Sequence, residues 1–530
     1  GLVLACFCLL CFVSQSWSAP LFDLDEGAFA QATMEMLSSG NWLTTTLDGA
    51  PRYDKPMLSY WLQGLSVRVL GVTELAFRLP SLIAAFIWVG ATYRFGRETF
   101  AELDQARTRA LFAAASLAGA LMIGIIAHAA TADALLNLWL ALSFFELWRW
   151  LDRGSRPALL RLYLWVALGM LTKGPIAAAI PLLSGLLFAA AHGRLRQAAA
   201  ALLEWRGWLI CLSVLGLWLV PLAWQGQLGF VWEFLWQHNL QRLSEPAQGH
   251  AGQVWFYLLW LPLVLLPFSS LLPHCLGLAR HWRHDRLASL ALIWLGLALL
   301  IFTLSSTKLP HYILYGCTPL FVLFGREITT QQHRRILIPG IMLLALLAAL
   351  PLWLPLIEAP EHRAFEHGIL ALAREQLGPR HWLLGGLAVA GCIYVWCSRL
   401  AISHRLLVMA AVQALVLWYG VLPLVVEAQQ RPVKQAAELA RAAPQPVVAY
   451  RTKLPSFSVY RGAPTQHRKP EPGELVFVRR DRIARLRREL ADADLQPRFE
   501  RGGIALLFNA PQQRRNQATE PAGAMRDDIP

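Results

Sequence analysis

Acids, lysines and histidines are scarce in this chain, and those flanking its apolar runs fall in a few short segments. Asp23, Asp25 and Glu26 follow the first apolar run, and Tyr53-Asp54-Lys55-Pro56 lies about thirty residues on. Asp133 opens another run in Thr131-Ala132-Asp133-Ala134-Leu135, and Lys173 sits in the turn Leu171-Thr172-Lys173-Gly174-Pro175. The loop 225–253 carries His238, Asn239, Arg242, Glu245 and His250, and the turn 305–312 carries Lys308, His311 and Tyr312. Carboxylates of this kind can act as general bases or orient a nucleophile. Ammonium and guanidinium groups can hold a phosphate and stabilise charge that develops on it. An ionisable group at the end of an apolar helix is costly unless paired or wetted, which makes Asp133 a functional candidate. The plainer alternatives are a helix N-terminal acid favoured by the dipole and lysines that snorkel to an interface.

The elements that position these groups are apolar helices. Hydrophobic residues make up 56% of the 530 positions and charged residues only 15%, and the mean hydropathy is +0.42. Most apolar side chains must therefore face lipid, and the chain is expected to be an all-α polytopic membrane protein. Runs of transmembrane length lie near 2–18, 77–93, 108–127, 131–150, 158–172, 175–191, 207–224, 254–279, 287–306, 309–325, 337–357, 381–398 and 405–425, about thirteen in all. Arginine clusters mark every second connector: 94–109, 149–161, 194–206, 280–286, 326–335 and 399–405. The positive-inside rule puts these in the cytoplasm and the first loop 19–76, the loops 225–253 and 358–380, and the tail outside. Lysine is rare, and the three of the membrane part, Lys55, Lys173 and Lys308, all fall at the outer helix ends. They suggest a cationic ring around an anionic headgroup. The first run is expected to be retained as a helix, although Ser16-Trp17-Ser18-Ala19 resembles a signal cleavage site.

Three domains are expected: a transmembrane domain over 1–425, a small periplasmic α/β domain over 426–510, and a disordered tail over 511–530. In the second, alternating runs at Val447–Tyr450, Ser456–Tyr460, Glu474–Val478 and Ile504–Asn509 read as strands, and Asp481–Ala493 reads as a charged helix. Amphipathic stretches at Gly27–Ser38 and Leu58–Leu70 are expected to form juxtamembrane helices. The net charge of +14 does not imply nucleic acid, because most basic residues punctuate apolar helices. All eight cysteines lie in apolar stretches, so neither a disulfide framework nor a thiolate metal site is expected.

The ordered set Asp-Glu-Gly, Tyr-Asp-Lys-Pro, Leu-Thr-Lys-Gly-Pro and Lys-Leu-Pro-His-Tyr resembles the GT-C membrane glycosyltransferases that use polyprenyl-phosphate sugars. More closely it resembles the bacterial lipid A aminoarabinose transferases, relatives of protein O-mannosyltransferases. The resemblance covers nearly the whole chain and rests on the order and placement of the motifs. It implies a GT-C fold in the bacterial inner membrane, with the active site and C-terminal domain periplasmic. By motif, Asp25 and Asp133 match the family's essential acids, and Lys55, Arg242 and Tyr312 match residues that hold the donor phosphate. Glu26, Lys173, Lys308 and His311 are further candidates. The family carries a metal near its first loop, which here would fall to Asp54 and His238, or to His250, with a divalent ion such as zinc; no other cofactor is implied. Asp54 replaces the family's Glu, the family's His-Glu-His reads Gln237-His238-Asn239, and Gly27 stands where the family carries a larger residue.

The implied reaction moves a sugar from undecaprenyl phosphate to a periplasmic acceptor with inversion. The first choice is 4-amino-4-deoxy-L-arabinose onto a lipid A phosphate, where the added ammonium would weaken binding of polymyxin-like cations. Asp25 would be the base for a hydroxyl acceptor, or would orient an acceptor that is already anionic. Another sugar, or a protein or glycan acceptor, is the alternative within the class. A lipid or sugar transporter is the alternative outside it, but such proteins carry repeats and charges at the midplane, whereas these charges gather at outer ends. A non-catalytic scaffold would tolerate neutral residues at Asp25 and Lys55.

Overall fold

The computed structural model describes residues 2–236, 253–330, 333–360, 362–491 and 493–511. Most of these residues are helical, and the apolar runs become helices, some broken and some, as at Pro80, Pro181 and Pro221, continuous through a proline. Helix Glu74–Thr99 starts where the Thr73 side chain accepts the Ala76 N–H, with Glu74 in the first turn and Arg97 in the last. That polarity suits the helix dipole at both ends. Its 26 residues reach ~39 Å at 1.5 Å each, enough to cross a ~30 Å hydrocarbon core. Helix Arg286–Leu304 is capped in the same way by Asp285, which accepts from Ala288 N–H.

Among the described residues, four helices are long and apolar enough to span a membrane: Glu74–Thr99, Trp205–Trp224, Arg286–Leu304 and Ile402–Ala442. Three bent pairs raise the number to seven. Ala106–Gly119 and Leu121–His128 meet at 62°, Phe256–Val264 and Ser269–His281 at 116°, and Arg334–Ala348 and Leu350–Leu356 at 49°. The run expected as one span at 254–279 is therefore sharply folded, with Pro262 and Pro267 unable to donate to a continuous helical ladder. The first run is helical only over Leu2–Phe12. Its continuation is tied into the core, because carbonyls of Ser16, Ala19 and Pro20 accept from Arg78.

The arginine connectors converge at one end of the bundle. Arg149 pairs with Glu98 and Glu146, Arg161 with Glu146, Arg156 with Glu204, Arg286 with Asp152, and Arg326 with Asp285. At the opposite end stand helices Asp25–Ser39 and Leu58–Leu70, where the amphipathic stretches predict them, and the polar turns at 131–133, 173–175 and 305–312. One large apolar core joins the helices between these ends.

Beyond residue 442 the chain folds into a five-stranded sheet in the order Gln466–His467, Val447–Ala449, Leu475–Arg479, Ile504–Ala510, Asp494–Arg501. The first three strands run parallel and the last two antiparallel. The helical run Ile402–Ala442 passes without interruption through position 425, so the expected domain edge falls inside a helix. Its last part, Arg431–Ala442, packs Val433, Ala436, Ala437 and Ala440 on the sheet. One expectation is corrected: Ser456–Tyr460 is not a strand but part of helix Ser456–Arg461, ended by Gly462 at φ 79°. Five residues are too few to separate a two-residue from a 3.6-residue period. The left-handed glycine after them is the helix stop signal that decides it. The charged helix runs Arg480–Glu489.

Candidate active site

The first acid pair divides its work. Glu26 is buried, and its carboxylate accepts from Arg78 Nε at 2.9 Å and Nη2 at 2.7 Å, and from the amides of Phe22 at 2.8 Å and Ala130 at 2.7 Å. Arg78 gives its remaining N–H groups to the carbonyls of Ser16, Ala19 and Pro20, so all five donors of the guanidinium are used. Glu26 is thus part of a clamp that fixes the entry to helix Asp25–Ser39. Asp25, one residue before it, is exposed at the helix start.

Asp133 opens helix Asp133–Arg153 and is buried. Its Oδ1 accepts from Lys173 Nζ and from the Tyr315 hydroxyl, each at 2.5 Å, and stands 3.5 Å from His311 Nε2. Its Oδ2 accepts from Thr131 Oγ1 at 3.0 Å. Lys173 also donates to the Tyr315 hydroxyl at 2.5 Å and lies over the Tyr312 ring at 4.8 Å. Pro310–Gly316 is a 3₁₀ helix, in which residues three apart eclipse. Tyr312 and Tyr315 therefore stack, with centroids 5.8 Å apart. Tyr257 braces this turn through its hydroxyl, which donates to Leu309 O and accepts from Leu309 N–H. His311 lies in the combined field of Asp133, Lys173, Asp25 and Lys55, which brings four separate segments to one place.

Lys55 is buried and donates to Asp54 at Oδ1 (2.8 Å) and at its carbonyl (3.0 Å). Arg52 takes the other Asp54 oxygen at 3.0 Å and donates to Tyr60 at 3.2 Å. The three membrane lysines do not form one ring. Lys173 is held by Asp133, and Lys308 donates to the carbonyls of Thr303 and Ser305, closing the end of helix Arg286–Leu304. Arg242, His238 and His250 lie outside the described residues.

Of the metal site that the family resemblance implies, only Asp54 lies among the described residues; His238 and His250 do not. Both carboxylate oxygens of Asp54 already face cations, and among the described residues no three His, Cys, Asp or Glu side chains are grouped to hold an ion.

Several functional neighbours escaped the motif reading: Tyr315, Arg52, Arg78 and Thr131. Tyr315 had a usable signal, its three-residue spacing from Tyr312 in a turn opened by proline. Arg78 had another, being a charged residue inside the apolar run 77–93.

The C-terminal domain closes over the first loop. Ser456 donates its N–H to Asp23 Oδ1 at 2.9 Å and its hydroxyl to Oδ2. Burial pushes the Asp23 carboxyl up to about 7, against the opposing effect of the Ser456 bonds. Gly27 explains its own departure from the family pattern. A Cβ there would overlap Asp23 Oδ1 and come within 2.6 Å of Ser456 N. Asp48 accepts from His467 at 3.0 Å, Ser458 at 2.8 Å and Thr465 N–H at 3.1 Å. Burial alone would raise its carboxyl, but these hydrogen bonds outweigh it and hold it below its usual value.

The helical bundle, its polar end built by a first loop of two helices and roofed by a small α/β domain, shares its fold with solved structures. The chain superposes on ArnT from Cupriavidus metallidurans bound to undecaprenyl phosphate with a TM-score of 0.78 at 18% identity, covering 96% of this chain and 98% of that one. An archaeal oligosaccharyltransferase, AglB from Archaeoglobus fulgidus, aligns with a TM-score of 0.50 at 12% identity, over 97% of this chain and 74% of that one. Residues 54–220 match the family of dolichyl-phosphate-mannose-protein mannosyltransferases. The chain is similar to an undecaprenyl phosphate-alpha-4-amino-4-deoxy-L-arabinose arabinosyl transferase of Pseudomonas paraeruginosa, 31% identical over 58% of this chain and 56% of that protein. A second such transferase, of Sodalis glossinidius, is 31% identical over 64% of this chain and 62% of its own length. The match thus spans less than two thirds of these relatives.

Proposed function

We propose that this chain is a glycosyltransferase of the bacterial inner membrane that moves a sugar from a polyprenyl phosphate to an acceptor at the periplasmic face. The reading chosen is 4-amino-4-deoxy-L-arabinose, carried by undecaprenyl phosphate, transferred to a phosphate of lipid A. The observation that carries it is the convergence of Asp25, Lys55, Asp133, Lys173, His311 and Tyr312 at the polar end of a GT-C fold, opposite the arginine-rich end. Named relatives that act on this donor support the choice of sugar. The topology that goes with it has about thirteen spans, the arginine end cytoplasmic, and residues 426–510 as a periplasmic domain.

In this mechanism the leaving group is the polyprenyl phosphate, and its growing charge is stabilised by Lys55 and Arg242 with a hydrogen bond from the Tyr312 hydroxyl. Preorganised donors of this sort contribute ~10²-fold or more in rate each. Asp54 and Arg52 hold the Lys55 ammonium in place. Asp25, exposed beside the Glu26–Arg78 clamp, takes a proton from a hydroxyl acceptor or orients an acceptor phosphate. Asp133 is a positioning residue: its carboxylate holds Lys173 and Tyr315 beside His311 and Tyr312.

A second reading has an observation of its own. The family match over residues 54–220 is to protein mannosyltransferases, so a protein hydroxyl is the rival acceptor. Mass spectrometry of lipid A separates the two, from cells lacking their own transferase and expressing this chain or its Asp25→Asn form. A mass increase of one aminoarabinose with the unaltered chain alone is the expected result. An unmodified lipid A despite full expression would remove the lipid A assignment.

A further inference from the structure

One cavity, of about 1130 Å³, is not in the membrane bundle. It lies between the sheet domain, helix Ala364–Glu375 and the residues leading into helix Asp25–Ser39, and Asp23 and Leu24 line one wall. Asp25, the proposed base, is the next residue along. Its lining is mostly cationic, with Arg451, Lys453, Arg468, Lys469, Arg479 and Arg482 against the acids Asp23 and Glu366.

These cations fall into two groups. Arg468 is held by Glu474, Lys469 by Glu489, and Arg479 by Asp481 while it stacks on Phe365 at 3.9 Å. Arg451, Lys453 and Arg482 have no ion pair among the described residues, and Arg482 feels the repulsion of both Arg479 and Arg451. Arg451 also sits at φ 49°, in the left-handed region that an ordinary side chain adopts at a cost. Like charges gathered at such a position destabilise the protein alone and are relieved by a polyanion. A single phosphate needs far less room than this, and pockets for whole organic ligands span about 300–1,000 Å³. The rest of the lining, with Phe365, Ile369, Leu370 and Leu454, is apolar and suits the faces of sugar rings.

We propose that this cleft seats the phosphorylated sugar headgroup of the acceptor glycolipid, with Arg451, Lys453 and Arg482 pairing with its phosphates and presenting it to Asp25. The glycolipid identity rests on the function proposed above.

The test uses the purified full chain in detergent and measures binding of diphosphoryl lipid A, monophosphoryl lipid A, phosphatidylglycerol, inorganic phosphate and undecaprenyl phosphate. The triple variant Arg451→Ala/Lys453→Ala/Arg482→Ala, checked for unchanged thermal unfolding, is compared with the unaltered chain. The expected result is at least a tenfold loss of diphosphoryl lipid A binding with undecaprenyl phosphate binding unchanged. Monophosphoryl lipid A is expected to lose less, and phosphatidylglycerol and inorganic phosphate to compete weakly. Equal lipid A binding by variant and parent would overturn the proposal. So would equal affinity of the parent for phosphatidylglycerol, which would make the cleft a general anionic-lipid surface, or displacement of lipid A by inorganic phosphate at matching concentration. Should the variant lose its helical signal, Arg451→Lys/Arg482→Lys takes its place, with the same comparison and a partial loss expected. Failure of the function reading is seen separately: cleft-dependent binding with no sugar added to lipid A in cells removes the transfer assignment and leaves the site.

Discussion

Lys173 and Asp133 offer a direct measure of how the polar end is held together. Asp133 is buried and Lys173 half-buried, the contact is 2.5 Å, and each has few substitutes. Lys173→Met would leave the Asp133 carboxylate with the hydroxyls of Thr131 and Tyr315 and with His311 at 3.5 Å. Asp133→Asn would leave the Lys173 ammonium with the Tyr315 oxygen and two aromatic faces, and no charge to oppose it. Breaking a buried pair from one side costs about 3–5 kcal/mol, because the orphaned charge stays desolvated. The lysine variant belongs near the lower figure and the asparagine variant near the upper. The double variant Asp133→Asn/Lys173→Met removes both charges and should return to within ~2 kcal/mol of the parent. Unfolding free energies from denaturant titrations in mixed micelles give the three values. Additive single effects, or a lysine variant costlier than the asparagine variant, would refute the account of a coupled pair whose acid keeps the Thr131 and Tyr315 hydroxyls.

Gly27→Ala should loosen the C-terminal domain by about 1–3 kcal/mol, the usual cost of overpacking, since the new methyl meets Asp23 and Ser456; hydrogen exchange of residues 456–461 should rise about tenfold or more while the membrane helices stay protected. Folded-state stability at buried Asp23 should fall with rising pH. Its folded pKa is raised to about 7 by burial, so between about 4 and 7 the folded state binds the extra proton, and stability falls across that window and levels off above it. Limited proteolysis at pH 5.5 and 8 should detect the difference, and Asp23→Asn should abolish it. Arg78→Lys, despite keeping the charge, cannot supply five directed donors and should lower both folded yield and transfer, read by size-exclusion recovery and by lipid A mass. Lys55→Ala should fold normally and lose about 10²-fold in transfer rate, with lipid A binding unchanged.

How much of this was legible beforehand differs from element to element. Apolar run length and arginine placement located most helices and grouped the polar turns at one end. Lipid-facing helices must be apolar throughout, and the positive-inside bias is written residue by residue. The two helices of the first loop were readable from their amphipathic period. The five residues at 456–460 were misread because a short segment carries both periods, and the left-handed Gly462 that marks a helix end was not weighed.

The division within the site has the same cause. The sequence marked Lys55, Asp133 and Lys173 as candidates because charge at the end of an apolar helix is rare and costly, and the family resemblance pointed to Asp25 and Tyr312. Neither said which of them are engaged internally. Only the tertiary structure decided that Glu26 belongs to the Arg78 clamp, that Lys308 closes a helix, that Asp133 is held by Lys173 and Tyr315, and that Gly27 is small for the sake of a domain some 430 residues away. A chain encodes the hydropathy and charge of each residue locally, whereas pairing depends on which distant segments reach the same depth, and that is set by the packing of all the helices together.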